Sequence, residues 1–229
     1  MAWTTSHANL VTTLTGGTGD QPGLDLRGRT PGQTLRVMGA TPLIAITTGL
    51  NSFTAGTGTS ATSVAKQTAS ADWTAGDLEG LYLLRTGGGG YDANAPIDNL
   101  RQILSNTTTT LAVNTMPGLD NTSTLQIVEL ATKVDYISAG DPIALRLQGN
   151  LGPIEVIGVD FSTTHTLDGL LEAIDCVDVT LQGCSFISNL ANPSVVATRV
   201  QKFTFNDCLV AIGADMAITY GGRQYSLIS

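Results

Sequence analysis

From residue 154 onward, apolar and polar positions repeat with a fixed internal rhythm. Apolar side chains fall at Ile154, Val156, Val159 and Phe161, again at Val179, Leu181, Cys184 and Phe186, and again at Phe203, Phe205, Cys208 and Val210. Within each block the steps are two, three and two. Ile154 to Val179 is 25 residues and Val179 to Phe203 is 24. A step of two keeps side chains on one face of a strand. The step of three carries the chain around a two-residue corner: Ile157-Gly158, Gln182-Gly183 and Asn206-Asp207. A second short strand then returns its apolar residues to the same interior. Short strands, Gly/Asn/Asp corners and a period of this length are the pattern of a β-solenoid. A β-sandwich with evenly spaced strands is the competing architecture. Second patches at Leu170-Leu171, Val195-Val196 and Thr219-Tyr220 follow each block at a constant distance and favour the solenoid. Residues 154–222 therefore predict about three rungs of a right-handed parallel β-helix. Cys184 and Cys208 would stack inside it on adjacent rungs, and Thr180 and Thr204, one residue off in the alternation, would face outward. Ile143–Leu147 alternates cleanly and predicts a partial further rung, and Arg223–Ile228 a cap.

Upstream the pattern changes. Residues 1–35 are Thr/Gly-rich with few apolar side chains, chiefly Trp3, Leu10, Val11, Leu14, Leu24, Leu26 and Leu35. That is too little to pack alone and predicts an extended arm ordered by a partner surface. Leu35-Arg36-Val37 and Leu43–Ile46 read as two strands, and residues 51–72, rich in Thr, Ser, Ala and Gly, as a linker or long loop. Between residues 73 and 130 strand-like runs alternate with polar turns: Tyr82–Arg85, Arg101–Leu104, Thr110–Val113 and Leu125–Val128. Ser105–Thr108 supplies side chains that mimic a turn's hydrogen bonds. The expected organisation is all-β: an arm at 1–35, a small antiparallel β-domain at 36–130, then a short right-handed parallel β-helix of about three to four rungs at 131–229.

The segment from Trp73 to Val128 resembles a module common in structural proteins of tailed bacteriophages. The resemblance is carried by the hairpin Ile103-Leu104-Ser105-Asn106-Thr107-Thr108-Thr109-Thr110-Leu111-Ala112-Val113, by the preceding Trp and Gly-Leu strand, and by the closing Ile strand. It departs from the pattern between Tyr91 and Leu100, where the loop is longer. Phage spikes and decoration proteins also carry β-helices, so both features imply a virion location, with synthesis in the host cytoplasm.

Composition narrows the partners. The net charge is −8 and only 13% of residues are charged. Nucleic-acid binding needs Lys/Arg clusters, and none occurs. No basic-then-apolar leader opens the chain and no apolar run reaches about 18 residues, so no membrane partner is expected. Cys176, Cys184 and Cys208 are odd in number and are read as free buried thiols rather than a disulfide framework. Candidate chemistry is sparse. His7 and His165 lie far apart, no His/Cys spacing suggests zinc, and Gly87–Gly90 lacks the Lys-Ser/Thr of a phosphate loop. No cofactor, metal ion or catalytic residue is assigned. Asp160, Asp168, Glu172, Asp175 and Asp178 lie on the solenoid and could in principle form an acid/base pair, but rung corners explain them as solvated charges.

The expectation is a structural, non-enzymatic virion protein, foremost a capsid decoration or cement protein, with a homotrimer and the major capsid protein as partners. Capsid attachment falls to Trp3, Leu10, Val11 and Leu14. The alternative is a tail spike, fibre or adaptor that binds a host surface glycan or receptor.

Overall fold

The computed structural model describes residues 3–8, 10–29, 32–41, 51–67, 73–134, 137, 143–161, 169–188, 195–212 and 225–227. The chain divides into two compact units. One comprises residues 1–40 and 130–229, and the other residues 41–129.

The first unit is a parallel β-solenoid of about six turns. Each full turn visits three sheets in succession. The first sheet stacks Val11–Thr15, Thr34–Met38, Pro153–Ile157, Asp178–Gln182, Lys202–Asn206 and Tyr225–Leu227, all parallel. The second stacks Gly19–Gln21, Thr132–Val134, Val159–Asp160, Ser185–Ser188 and Leu209–Ile212. The third stacks Leu24–Arg29, Ile143–Asn150, Gly169–Ile174 and Val195–Thr198. Thr4–Ala8 folds back antiparallel on Val11–Thr15 and forms one edge of the first sheet.

The register turns the sequence period into interior columns. Leu14, Val37, Val156, Leu181 and Phe205 lie in one column, and Leu35, Ile154, Val179 and Phe203 in its neighbour. On the third sheet Leu26, Leu147, Ala173 and Ala197 are aligned. These side chains form one continuous buried cluster. Phe161 and Phe186 stack face to face at 4.9 Å, and Phe205 meets Phe186 edge-on at 6.0 Å. Of the twelve interior positions named from the sequence, Ile154, Val156, Val159, Phe161, Val179, Leu181, Cys184, Phe186, Phe203 and Phe205 are buried. Cys208 is half-buried. Val210 lies in Leu209–Ile212, outside the residues whose side chains are described.

The corners read from the sequence are left-handed: Gly158 has φ 63°, Gly183 57° and Asp207 50°. A second left-handed stack turns the third sheet into the first, at Gly28, Gly149, Asp175 and Arg199. Aligned positive-φ residues let these rungs turn at the same place, which keeps the columns in register.

Three expectations need correction. Residues 1–35 are not an arm. From Val11 onward they build the first turn and begin the second, and Leu14, Leu26 and Leu35 are core residues. Their apolar side chains are few because each rung contributes few, and the rest of the core comes from stacked neighbours. The antiparallel domain does not precede the solenoid but interrupts it: the chain leaves after Ala40 and re-enters at Leu130. Ala131 N–H donates to the Ala40 carbonyl at 2.9 Å, so the two ends of the excursion meet. Finally, Tyr225–Leu227 pairs with Lys202–Asn206 as a further strand of the first sheet, not as a separate cap.

The inserted unit is a six-stranded antiparallel sheet. Its order is Ser52–Thr54, Thr124–Val128, Tyr82–Gly87, Leu100–Asn106, Thr110–Val113, Ser63–Ala65. Residues expected as a linker thus supply both edge strands, and Phe53, Ala55 and Val64 are buried. The expected strand at Leu43–Ile46 lies outside the described residues. Trp73 meets Phe53 edge-on at 5.2 Å, with Lys66 Nζ 4.3 Å above its ring. The expected Ser105–Thr108 turn is tied by its own side chains: Asn106 Oδ1 accepts from Leu78 N–H, and Thr107 Oγ1 accepts from Thr109 and Thr110 N–H. Arg85, 1% exposed, donates to Asn99 Oδ1 and to the carbonyls of Gly89, Pro117 and Asp98. One guanidinium therefore pins the three loops around it.

Candidate functional site

The outer faces of the solenoid carry few charges, and these alternate in sign from rung to rung. On the third sheet Arg146 sits between Asp25 and Glu172, 3.7 and 2.5 Å away. On the first sheet Arg36 pairs with Glu155 at 2.6 Å. On the second, Lys133 is in register with Asp20 on one side and Asp160 on the other. At the corner and strand start that follow the third sheet, Asp175 pairs with Arg199 at 2.5 Å and Asp178 with Lys202 at 3.1 Å. Opposite charges in register hold neighbouring rungs in place, and a slipped register would bring like charges together.

This accounts for the carboxylates raised as an acid/base candidate. Glu172, Asp175 and Asp178 each have a cationic partner on an adjacent rung. The hydrogen-bonded Arg199 guanidinium holds the Asp175 carboxyl below its ordinary range. A general acid at neutral pH needs the opposite shift. Asp160 lies on the second sheet, in register with Ser185, and Asp168 falls outside the described residues. Among the described residues no group of three or more His, Cys, Asp or Glu could hold a metal ion.

The proposed attachment residues separate. Leu14 points into the solenoid core. Trp3 packs against the end of that core, and its indole N–H donates to the Pro22 carbonyl at 2.9 Å. Leu14 is thus buried by its own solenoid, while Trp3 is half-buried against the same core. Leu10 remains at the surface and Val11 is half-buried beside it. Leu10 is 71% exposed at a φ of 64°, in the turn joining Thr4–Ala8 to Val11–Thr15. With His7, Ala8, Thr12 and Gln33 they line an open groove of about 270 Å³. His7 Nδ1 lies 3.0 Å from Thr12 Oγ1. No carboxylate lines this groove, so it offers hydroxyl, amide, imidazole and aliphatic contacts suited to binding. Sequence reading missed His7, Thr12 and Gln33, because nothing marked the first 35 residues as a hairpin followed by a rung.

The three free thiols sit at corners. Cys184 and Cys208 follow the left-handed residues Gly183 and Asp207 on successive rungs. Burial pushes the Cys208 thiol well above its ordinary range, with the Cys184 thiol next to it adding to the shift. Cys176 lies at the other corner beside Asn150, whose Nδ2 donates to the Leu26 carbonyl at 3.2 Å.

No family model matches the chain, and no curated protein matches it. Solved structures that align with it at low similarity include two phage tailspikes. One is the tailspike protein gp49 from Pseudomonas phage LKA1, 12% identical with a TM-score of 0.30 over 91% of this chain and 39% of that one. The other is the Gp54 tailspike of Acinetobacter baumannii bacteriophage AP22, in complex with A. baumannii capsular saccharide, 10% identical with a TM-score of 0.25 over 82% of this chain and 45% of that one. The chain spans less than half the length of either tailspike.

Proposed function

We propose that the chain is a tail component of a tailed-phage virion, a spike, fibre or adaptor whose solenoid faces a host surface glycan. The observation that carries this reading is the solenoid of about six turns with its repeated outer rows. Side chains recur at the rung spacing of about 4.8 Å, and a regular array of contacts fits a regular polymer. The charges in those rows neutralise one another across rungs, which leaves hydroxyls and amides as the main free contacts. Such a surface suits a saccharide better than a polyphosphate. The virion assignment itself rests on the phage-module resemblance of Trp73–Val128.

Capsid decoration is the weaker reading, because the arm that was to dock on the head is part of the solenoid. The chain is proposed to bind glycan rather than cleave it: the described solenoid carboxylates are occupied in ion pairs or spread over different sheets. Homotrimeric assembly belongs to the same proposal; its support is the uncapped sheet edge at Thr4–Ala8, whose residues are all exposed.

Antibody labelling of virions, combined with a binding assay against purified host capsule and lipopolysaccharide, tests the reading. Label at the tail and saturable binding without release of oligosaccharide are expected. Label over the head lattice would restore decoration, and oligosaccharide release would make the chain an enzyme.

A further inference from the structure

We propose that Cys184 and Cys208 are a disulfide-competent pair, a site at which the folded solenoid can be covalently stapled between adjacent rungs. Gln182 is in register with Asn206, and Ser185 with Leu209. Cys184 and Cys208 therefore occupy equivalent places on neighbouring parallel rungs. Residues so placed are about 4.8 Å apart, within the Cα separation of about 4.4–6.8 Å that a disulfide bridges. One side chain is directed toward the other's rung and one away from it. Cys208 Sγ reaches back to the Leu181 carbonyl, 3.6 Å away on the rung that carries Cys184. Cys184 Sγ reaches back one rung further, to the Val156 carbonyl at 3.5 Å. The two thiols are neighbours that already act on each other, and forming the bond requires Cys184 to turn about χ1 toward Cys208.

The chemistry needs an external oxidant, a small-molecule disulfide. Half-buried Cys208 loses its proton, and the thiolate attacks the reagent and expels one small thiolate, forming a mixed disulfide. The Cys184 thiolate then attacks the Cys208 sulfur and expels the second. One S–S bond forms in the protein, one breaks in the reagent, and the two cysteine protons end on the two released thiols. The raised Cys208 thiol makes the first step slow at neutral pH and faster in alkali. Cys176 is not part of the pair, since it sits at the opposite corner beside Asn150.

The test incubates the intact chain with oxidised glutathione at a pH of about 8.5, then measures intact mass and maps linked peptides. The expected product is a monomer lighter by two hydrogens, with one link joining Cys184 to Cys208. It should form equally in Cys176→Ser and not in Cys208→Ser, and its Tm should rise by about 5 °C. A stable glutathione adduct on Cys208, an unmodified chain, a link involving Cys176 or a link between two chains would each overturn the proposal. Should Cys208→Ser fold poorly, Cys208→Ala serves as the control, since either variant removes the bond.

Discussion

At the residue scale the molecule uses its few charges as register markers. Arg146 illustrates the arrangement, lying half-covered between Asp25 and Glu172 of the rungs on either side. Replacing it with Met keeps the aliphatic stem but leaves Glu172 without its cation and Asp25 with Arg27 alone. A loss of about 1 kcal/mol is expected in urea unfolding, and an unchanged midpoint would show that the row is ornamental. Ion pairs also set the acid response. Arg27, through its hydrogen bonds, and Arg199 hold Asp25 and Asp175 below the ordinary carboxylate range. The stability they contribute is therefore fully present above a pH of about 4. It is lost as pH falls through their lowered folded values, so Tm should decline on acidification, and less steeply in Asp175→Asn. Thr204 shows where simple alternation misleads. Its parity points it outward, yet it is 8% exposed and its hydroxyl is buried. Thr204→Asp should be strongly destabilising while Thr180→Asp is tolerated, as circular dichroism melts of the two variants would reveal.

At the scale of elements, each turn depends on backbone fitting against backbone. A Cβ on Gly39 would lie 1.9 Å from the Gly158 carbonyl oxygen of the next rung, and one on Gly152 equally close to the Gln33 oxygen. Neither contact can be relieved by a flexible side chain. Gly39→Ala should cost about 1–3 kcal/mol, whereas Ala at exposed Gly19, where nothing lies near the added Cβ, meets only the smaller penalty of its positive φ. These contacts explain what the sequence conceals. The motif Ile154-Glu155-Val156-Ile157-Gly158 has a close counterpart in Leu35-Arg36-Val37-Met38-Gly39, and a fainter one in Thr12-Thr13-Leu14-Thr15-Gly16. The later rungs were legible because three blocks follow one another at nearly constant spacing. The earlier ones were not, because the excursion at 41–129 breaks the period and Thr12 stands in a column otherwise occupied by Leu35, Ile154, Val179 and Phe203. The candidate site suffered from the same gap. Trp3 and Leu14 stood out as apolar residues in a polar segment, and composition cannot distinguish a residue buried by its own solenoid from one buried by a partner.

At the scale of the whole molecule, the solenoid is continuous in space though divided in sequence. Thr132–Val134, the first strand after the excursion, pairs with Gly19–Gln21 from before it. Pro153–Ile157 likewise pairs with Thr34–Met38. The inserted unit has its own buried cluster around Trp73, Leu83, Ile103 and Ile127, and its loops are pinned internally by Arg85. Nothing in the rung-to-rung pairing requires residues 41–129, and the hydrogen bond from Ala131 to Ala40 already closes the gap. Deleting residues 41–129 and joining Ala40 to Leu130 through a short Gly-Ser linker should therefore leave a folded solenoid. Its far-ultraviolet spectrum should be that of β-structure, with a cooperative melt, and Cys184 and Cys208 should react with thiol reagents no faster than in the full chain. Loop-closure entropy points the same way, since replacing a long excursion by a short one lowers the entropic cost of bringing Ala40 and Leu130 together. A chain that becomes molten, with its cysteines reacting at the rate of the unfolded protein, would mean that the solenoid needs the inserted unit in order to fold.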